Sequence, residues 1–290
     1  MVLDRAAVQD VVRRALGEDL GESGDLTTQL CVPDGRTGTA RIVAREPGVI
    51  AGLAIAHACF SFLDPDVEIK SARSDGDSLQ ADDLVLEVSG TAGALCAGER
   101  TCLNLLQRLS GIATLTRAFV SAVEGTGARI LDTRKTTPCL RNLEKYAVVV
   151  GGGYNHRFGL FDQVLIKENH FALAKPTPME EVVRRAVAAS NQPVVAEARD
   201  LTEAHAIVMG GADVVLLDNF EPNETLRSAV TSVRELARRL GRSVEIEVSG
   251  GVSLRTVRFF ADCGVDRISV GALTHSSKAL DLSMLVEVSS

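Results

Sequence analysis

The sequence predicts an α/β protein in which an irregular α+β region precedes an incomplete α/β barrel of six or seven units. In the first part of the chain, strands and helices occur without regular alternation. After the turn Gly125-Thr126-Gly127, short apolar strands alternate with helical stretches, as in successive parallel βα units. A complete eight-unit barrel takes about 250 residues, whereas this part occupies roughly half of the 290-residue chain. We therefore expect fewer than eight units.

The first part begins with a predicted amphipathic helix. Apolar residues recur at helical spacing from Val8 onward, Asp4 precedes them as a suitable N-cap, and Gly17 is a suitable end. The dipeptide Ser110-Gly111 separates two further helical patterns and predicts a break between packed helices. The other elements predicted here are a strand at 39–44, a helix at 53–63, a strand at 84–88, and the two helices at 97–109 and 112–123.

In the second part, short apolar runs predict strands and longer periodic stretches predict helices. The strands are expected at 129–131, 164–166, 194–196, 214–217, 245–248 and 267–270. The helices are expected at 177–189, 202–209, 223–240 and 254–263. Because the carboxyl ends of parallel barrel strands lie on one face, the polar residues that follow these strands are expected to share that face.

Composition limits the classes of function. The chain has 290 residues, a formal net charge of -7 and 46% hydrophobic residues, which is typical of a globular protein with a sizeable core. No apolar run approaches the roughly 18 residues of a membrane-spanning helix, and the first residues lack a signal-peptide pattern, so we expect a cytoplasmic protein without membrane association. The six cysteines show no CxxC spacing, which argues against zinc sites and disulfides. The acidic balance argues against nucleic-acid binding.

The segment 131–170 concentrates positive charge within this acidic chain. It contains six Lys and Arg residues against four Asp and Glu residues, so its local charge is +2. Arginine binds carboxylates and phosphates in a bidentate manner. We therefore predict a site for a ligand with several negative charges. The basic residues of the segment are Arg134, Lys135, Arg141, Lys145, Arg157 and Lys167, with His156 and His170.

Polar residues follow the predicted strands. Glycine-rich turns at 249–251 and around Gly271 follow the last two strands, a position at which many barrel enzymes bind phosphate through backbone N–H groups. No GxxxxGK[ST] motif is present, so this is not a nucleoside-triphosphate P-loop. Two acids, Glu197 and Asp218, end consecutive strands. Beside a phosphate site they indicate Mg²⁺ or ribose contact, and ion pairs with lysines are the alternative.

A set of longer motifs extends over nearly the whole chain: GEDLGESGDLTT, ARIVAREPGVIAG, GERTCLNLLQRLSGIAT, LDTRKTTPCLRNLEKYAVVVGGGYNHR, VLIKENH, VVLLDN and VSGG. This set resembles the quinolinate phosphoribosyltransferase family, the carboxylating nicotinate-nucleotide pyrophosphorylases of NAD biosynthesis. The resemblance implies a pentosyltransferase that converts quinolinate and phosphoribosyl pyrophosphate to nicotinate mononucleotide, pyrophosphate and CO₂. It also implies a requirement for Mg²⁺ and no organic cofactor.

The resemblance further implies an architecture and an assembly. An N-terminal α/β sandwich domain is expected at 1–108, joined by the C-terminal segment 275–290, and the incomplete α/β barrel is expected at 109–274. A homodimer is expected, and the choice between dimer and hexamer is left open. In the dimer, Arg100 of the GER motif would reach into the neighbouring subunit's site.

Matched motif by motif, the resemblance assigns roles to individual residues. Lys135, Lys167, Glu197 and Asp218 would be catalytic, and Glu197 and Asp218 would hold the metal. The residues expected to bind quinolinate are Arg100, Thr133, Arg134, His156, Arg157 and Lys167. The residues expected to bind phosphoribosyl pyrophosphate are Lys135, Glu197, Asp218, Ser249, Gly250, Gly251, Gly271 and Ala272.

Some positions depart from the family's usual pattern. The segment VAEAR at 195–199 keeps Glu197 but lacks its usual acidic neighbours, Cys139 replaces a glycine, and Glu168 replaces an aspartate. These differences leave the metal geometry and the preference among pyridine carboxylates open.

Two alternative functions use a similar anion site. One is a paralogous phosphoribosyltransferase-like protein of the molybdenum-transport-associated type, and the other is a non-catalytic sensor of a phosphorylated metabolite. The intact KENH and NHR motifs count against the first. The acids Glu197 and Asp218 beside Lys135 count against the second, because a sensor has no oxocarbenium ion to stabilise.

Overall fold

The computed structural model describes residues 3–288 of the chain. Within this range the chain forms two compact units. The first comprises residues 3–117, 136–152 and 273–288, and the second comprises residues 118–135 and 153–272. The expected domain limits at 108/109 and 274/275 stay predictions.

Strands and helices are numbered in chain order. The strands are β1 (Thr37–Ala44), β2 (Gly48–Val49), β3 (Glu68–Ser71), β4 (Ser78–Leu79), β5 (Leu84–Thr91), β6 (Arg129–Leu131), β7 (Val164–Ile166), β8 (Val194–Ala198), β9 (Val214–Asp218), β10 (Glu245–Ser249), β11 (Arg267–Ser269) and β12 (Leu282–Val288). The helices are α1 (Arg5–Leu20), α2 (Leu26–Cys31), α3 (Leu53–Leu63), α4 (Ala92–Ala122), α5 (Arg141–Val150), α6 (Glu168–Leu173), α7 (Met179–Ala189), α8 (Leu201–Gly210), α9 (Glu224–Arg239), α10 (Val257–Asp262) and α11 (Ala272–His275). None of the helices in residues 3–288 is both long and apolar enough to cross a membrane.

The first unit is built around an antiparallel four-stranded sheet. Its strand order is β12-β1-β5-β3, and β2 and β4 form a separate two-stranded ladder. Side chains of β1 alternate as predicted, and Ala40, Ile42 and Ala44 are fully buried. Helices α1 and α3 pack together, and Phe60 of α3 is fully buried. The predicted α/β architecture of the N-terminal part is therefore confirmed.

Helix α1 begins as predicted but ends later. The Asp4 carboxylate accepts a hydrogen bond from the Ala6 N–H group at 3.0 Å, which caps the helix. The predicted end at Gly17 is wrong, because the helix continues to Leu20. Gly21 provides the C-cap with a φ of 52°, a conformation that favours glycine.

The predicted break at Ser110-Gly111 is also wrong, because α4 is continuous through both residues. The Ser110 hydroxyl is buried and accepts a hydrogen bond from the Ala51 N–H group at 3.0 Å. A Cβ atom at Gly111 would lie 2.0 Å from the Lys278 carbonyl oxygen. The two small residues therefore allow other backbone segments of the first unit to approach α4, and they do not interrupt it.

The first turn of α5 carries a fully buried carboxylate. Glu144 accepts hydrogen bonds from the Thr137 N–H group at 3.0 Å, from the Thr137 hydroxyl at 2.8 Å and from Arg108 Nη2 at 2.8 Å. Since a buried carboxylate needs such partners, this cluster fixes the turn that leads into α5. No helix was predicted at this position.

The second unit is built around a parallel six-stranded sheet. Its strand order is β6-β11-β10-β9-β8-β7, which is the order of a barrel opened between β6 and β7. No ladder joins these two strands within residues 3–288, although Tyr154 forms an isolated parallel bridge with Leu131 of β6. All six predicted strands are present. The predicted α/β class with an incomplete barrel is therefore confirmed.

The register of this sheet aligns charged residues across neighbouring strands. Glu197 of β8 pairs with Leu216 of β9, Leu216 pairs with Glu247 of β10, and Glu247 pairs with Arg267 of β11. Residues that are level in neighbouring strands point to the same face of a sheet. One row of one face therefore carries two acids and an arginine.

Replacing Gly111 with alanine should destabilise the first unit. The added Cβ atom would meet the Lys278 carbonyl oxygen, and overpacking of this kind costs about 1–3 kcal/mol. The matched control is Gly93→Ala in the same helix, where a Cβ atom would have no neighbour within 4 Å. The control should leave stability unchanged or raise it slightly. Urea denaturation followed by circular dichroism measures both, and equal effects of the two substitutions would contradict the packing role of Gly111.

Candidate active site

The predicted site residues of the second unit lie at the carboxyl ends of its parallel strands. Thr133, Arg134 and Lys135 follow β6, and Lys167 follows β7. The remaining residues lie within or just after β8 to β11: Glu197, Asp218, Ser249, Gly250, Gly251, Gly271 and Ala272. Because the strands are parallel and adjacent, these ends share one edge of the sheet. Sheets of this kind bind ligands at this edge.

Two arginines at this edge lack carboxylate partners. Within the described residues 3–288, neither Arg134 nor Arg157 forms an ion pair, and the Arg134 Nε atom is buried without a hydrogen-bond partner. Burial lowers the pKa of the Arg157 guanidinium, the positive charge of Arg134 lowers it further, and the negative charge of Asp162 acts in the opposite direction. Two neighbouring cations of this kind attract an anion, because a bound carboxylate relieves their repulsion.

Lys167 and Glu197 form an ion pair at the same edge. The Lys167 Nζ atom lies 2.7 Å from Glu197 Oε2, and the Glu197 side chain is buried. The contact follows from the register, since Ile166 pairs with Ala196 and the next residue of each strand is therefore level with the other. The sequence left open whether Glu197 contacts a metal or ribose or pairs with a lysine. In the structure, Glu197 forms an ion pair with Lys167.

Hydrogen bonds connect the carboxyl ends of β9 and β10. The Ser249 hydroxyl donates to Asp218 Oδ1 at 2.6 Å, and the Asn219 N–H group donates to the Ser249 carbonyl oxygen at 2.9 Å. Gly250 has a φ of 89°, and a Cβ atom there would lie 2.1 Å from Asn219 Oδ1. Glycine is therefore required at this position both by its backbone conformation and by the contact with Asn219.

The imidazole of His156 points inward. Its Nδ1 atom accepts a hydrogen bond from the Arg157 N–H group at 2.7 Å, and its Nε2 atom lies 3.3 Å from Glu247 Oε1. The backbone N–H group of His156 donates to Asp132 Oδ1 at 2.8 Å. Only 8% of the His156 side chain is exposed. The residue predicted to bind quinolinate is thus held by contacts within the protein.

Two family models together match most of the chain. A domain model described as "Quinolinate phosphoribosyl transferase, C-terminal domain" matches residues 112–285, and the corresponding N-terminal domain model matches residues 25–110. The chain belongs to the quinolinate phosphoribosyl transferase family. The resemblance of the motifs is therefore confirmed.

Relatives within the quinolinate phosphoribosyl transferase family match over almost their whole length. The "Probable nicotinate-nucleotide pyrophosphorylase [carboxylating]" of Bacillus subtilis (strain 168) is 43% identical over 274 residues, covering 94% of this chain and 91% of the relative. The nicotinate-nucleotide pyrophosphorylase [carboxylating] of Mycobacterium leprae (strain TN) is 43% identical over 283 residues, covering 96% of each. The solved nicotinate-nucleotide pyrophosphorylase of Francisella tularensis superposes with a TM-score of 0.90 at 37% identity, covering 99% of this chain and 98% of that one.

One residue assigned through the quinolinate phosphoribosyl transferase family lies in the first unit. Arg100 is on α4, where 61% of its side chain is exposed and its nearest carboxylate is that of Glu99 at 3.9 Å. Thr133, by contrast, is engaged locally, since its hydroxyl accepts a hydrogen bond from the Lys135 N–H group at 3.1 Å. The roles given to these residues by motif stay predictions.

Two buried carboxylates at the site were not assigned a role from the sequence. Asp132 is fully buried and accepts from Asn155 Nδ2 at 2.6 Å as well as from the His156 backbone. Glu247 is fully buried and accepts from the Ser269 hydroxyl at 2.6 Å. The signal for Glu247 was an acidic residue inside an apolar strand, because charged side chains are almost never fully buried without a partner.

Glu197 and Asp218 are the two acids that the family resemblance assigns as metal ligands. No group of three or more His, Cys, Asp or Glu side chains suited to a metal occurs in the described part of the chain. Glu197 and Asp218 end neighbouring strands, and both point to the same face because Glu197 is level with Leu216. Two carboxylates suit Mg²⁺ when the other ligands are waters and substrate phosphates. The residues present therefore fit a metal that arrives with a phosphorylated substrate.

Replacing Gly250 with alanine should destabilise the second unit more than the same change at Gly264. Both glycines have nearly the same φ, 89° and 87°, so both substitutions incur the cost of a left-handed conformation, about 1–2 kcal/mol. Only at Gly250 would the new Cβ atom also meet a close neighbour, since the nearest atom at Gly264 is 3.9 Å away. We expect an additional loss of about 1–3 kcal/mol at Gly250, measured by urea denaturation. Equal losses would show that the contact with Asn219 is not restrictive.

Proposed function

We propose that this chain transfers the phosphoribosyl group of phosphoribosyl pyrophosphate to quinolinate, with decarboxylation, to give nicotinate mononucleotide, pyrophosphate and CO₂ in NAD biosynthesis. The observation that carries the proposal is the pair of arginines, Arg134 and Arg157, without carboxylate partners at the carboxyl edge of the sheet. A dicarboxylate is the ligand that such a pair recognises, because guanidinium groups bind carboxylates in a bidentate manner. The names of the relatives support the same reaction.

Quinolinate binds among the cations of the second unit in this proposal. Arg134 and Arg157 take its carboxylates, and Thr133 and His156 complete the pocket. Lys167 stands at its border with the donor site, because its ammonium group is already paired with Glu197. The cations offset the repulsion between the dicarboxylate and the phosphates of the donor, so that both can be held in reacting orientation.

The phosphoribosyl donor binds along the ends of β8 to β11. The 5-phosphate lies at the two glycine-containing turns, formed by Ser249, Gly250, Gly251, Gly271 and Ala272, because the backbone N–H groups of such turns bind phosphate. Lys135 faces the pyrophosphate, since its exposed side chain can reach solvent-facing phosphates. Glu197 and Asp218 contact the ribose.

The reaction then has two steps. The pyridine nitrogen of quinolinate forms a bond to ribose C1 while the bond from C1 to pyrophosphate breaks, and Glu197 and Asp218 stabilise the positive charge that develops on the ribose. The alkylated ring nitrogen is now cationic. The bond between the ring and the adjacent carboxylate breaks, CO₂ leaves, and the electron pair stays on the ring beside that nitrogen until a proton replaces the carboxylate. No organic cofactor is needed.

Magnesium belongs to this proposal as an ion shared with the donor. Glu197 and Asp218 would hold it together with phosphate oxygens and water. When bound, Mg²⁺ would neutralise part of the negative charge on the leaving pyrophosphate.

A homodimer completes the proposal. Arg100 is the residue expected to cross to the neighbouring subunit, and its exposed side chain, whose nearest carboxylate lies 3.9 Å away, supports this role. The cytoplasmic location stays a prediction, because relatives include proteins named chloroplastic and mitochondrial. The alternatives of a transport-associated paralogue and a sensor are disfavoured by the names of the full-length relatives.

Release of labelled CO₂ tests the proposed reaction. Quinolinate labelled in the carboxylate next to the ring nitrogen should release CO₂ only when protein, phosphoribosyl pyrophosphate and Mg²⁺ are all present. Lys135→Ala should lower the rate about 10²–10³-fold, the usual effect of removing one group that stabilises developing charge. The matched control Lys70→Ala removes an exposed lysine of β3 and should keep the wild-type rate. Folded wild-type protein that releases no CO₂ would contradict the reaction, and a wild-type rate for Lys135→Ala would contradict the role of Lys135.

Subunit mixing tests the shared site. Arg100→Ala and Lys135→Ala proteins should each have a strongly lowered rate, and after subunit exchange about a quarter of the sites should be intact, because half of the dimers are mixed and each mixed dimer has one wild-type site. The control mixes Lys135→Ala with Lys167→Ala, whose residues both come from the second unit of the same subunit. This control should recover no activity. Lack of recovery in the first mixture after demonstrated exchange would count against a contribution from Arg100 across the interface.

A further inference from the structure

Glu247 is a charged group that the proposed reaction does not use. It lies in the middle of β10, in the row that also contains Glu197 and Arg267, and its side chain is fully buried. Its Oε1 atom accepts from the Ser269 hydroxyl at 2.6 Å and lies 3.3 Å from His156 Nε2. Its Oε2 atom has no hydrogen-bond partner among residues 3–288. The carboxylate is thus incompletely satisfied in a place where charge is costly.

The energetics of this group need an explanation. An unsatisfied buried oxygen of a charged group costs more than the roughly 1–3 kcal/mol of a neutral one. Burial raises the pKa of Glu247, whereas its contacts with His156, the Ser269 hydroxyl and Arg267 lower it below its ordinary value. The balance favours the carboxylate form. An apolar residue would pack in this strand at a lower cost, so the carboxylate has a task besides folding.

The hydrogen bonds of the His156 ring indicate what the Glu247 carboxylate does. Its Nδ1 atom accepts the Arg157 N–H group, so Nδ1 carries no proton. The ring proton of the neutral imidazole is then on Nε2 and is directed at Glu247 Oε1. The buried carboxylate favours this tautomer over the other, because the alternative would place an Nε2 lone pair against a negative charge.

The segment 155–157 is held from two sides by buried carboxylates. Asp132 accepts from Asn155 Nδ2 and from the backbone of His156. Glu247 acts through the imidazole on the next peptide group, that of Arg157. The result is a fixed backbone at Arg157, whose guanidinium is close enough to Arg134 for the two charges to repel each other.

We propose that Glu247 is a positioning residue of the dicarboxylate site: it fixes the Nε2-protonated tautomer of His156, and the imidazole in turn fixes the backbone of Arg157 so that its guanidinium stands beside Arg134. The inference rests on the proposed function for the identity of the ligand. It assigns His156 a role in holding the arginine that binds the substrate.

The first experiment measures the tautomer directly. Nitrogen-15 NMR of histidine-labelled full-length protein should show His156 with Nδ1 unprotonated and Nε2 protonated. In Glu247→Gln a fraction of the Nδ1-protonated form should appear, because the glutamine NH₂ group can donate to an unprotonated Nε2, which a carboxylate cannot do. An Nδ1-protonated or doubly protonated His156 in the wild-type protein would overturn the proposal, and this result does not require any variant to fold.

The second experiment links the tautomer to the ligand. Quinolinate affinity is measured by calorimetry for the wild type, Glu247→Gln, His156→Ala, the double variant and the control Glu245→Gln. Glu245 lies on the same strand two residues earlier and pairs with Arg129 and Arg267 instead of a histidine. We expect about a tenfold loss for Glu247→Gln, no further loss when it is added to His156→Ala, and wild-type affinity for Glu245→Gln. The KM for phosphoribosyl pyrophosphate should not change in Glu247→Gln.

The outcomes separate this inference from the proposed function. Three results would each overturn the role of Glu247. They are multiplicative losses of quinolinate affinity in the double variant, unchanged affinity in Glu247→Gln, and an equal loss of affinity in Glu245→Gln. A wild-type protein that binds no quinolinate would overturn the proposed function, and with it the ligand named here. Quinolinate binding and CO₂ release by a wild-type protein with the other His156 tautomer would overturn this inference alone.

Discussion

The register of the parallel sheet in the second unit is the constraint on which the candidate site depends. Because Glu197 is level with Leu216, Glu247 and Arg267, the acids of two strands, Glu197 and Glu247, share one face and one row. A shift of any strand by one residue would turn its side chains to the opposite face. The same register makes Lys167 level with Glu197 and Ser249 level with Asp218, and in both cases the level residues are in contact. Backbone pairing thus determines the polar contacts at the edge.

The polar contacts at the carboxyl edge of the sheet satisfy its carboxylates, whereas two of its arginines keep their charge without an ion pair in the described part of the chain. Asp132 is held by Asn155 and His156, Asp218 by Ser249 and Asn219, and Glu197 by Lys167. Arg134 and Arg157 have no comparable partner among residues 3–288. An anion that reaches this edge therefore meets guanidinium groups that need not first break an internal ion pair. This explains how a chain with a net charge of -7 can present a local site for a dianion.

Sequence patterns predicted the parts of the fold in which local preference and tertiary packing agree. The alternation at Ala40, Ile42 and Ala44 and the short apolar strands of the second unit belong to this class, since their burial follows the period of the pattern. The pattern failed at Gly111, where a glycine that indicates a break in sequence serves a close contact with Lys278 in space. That contact joins residues 167 positions apart, and no local rule contains it.

The same distinction applies to the site. The strand-end positions of Lys167, Glu197 and Asp218 could be predicted, because they follow from the parallel order of the strands. The function of Glu247 could not, because its partners His156 and Ser269 come from other segments and the sequence shows only one acid in an apolar strand. For His156 the motif predicted a ligand contact, whereas the direction of each ring nitrogen depends on Arg157 and Glu247.

Glu168 and Arg199 both differ from the family's usual pattern, and their side chains are in contact. Arg199 Nη1 lies 3.0 Å from Glu168 Oε1, and its Nη2 atom lies 2.6 Å from Glu203 Oε1. With Glu197, these three side chains line one cavity of about 240 Å³. The positive charge at Arg199 is therefore shared by two carboxylates and does not act on Glu197 as an isolated cation. Since Glu168 directly follows Lys167, the ion pair between Arg199 and Glu168 also joins the segment of Lys167 to the end of β8, where Glu197 pairs with Lys167.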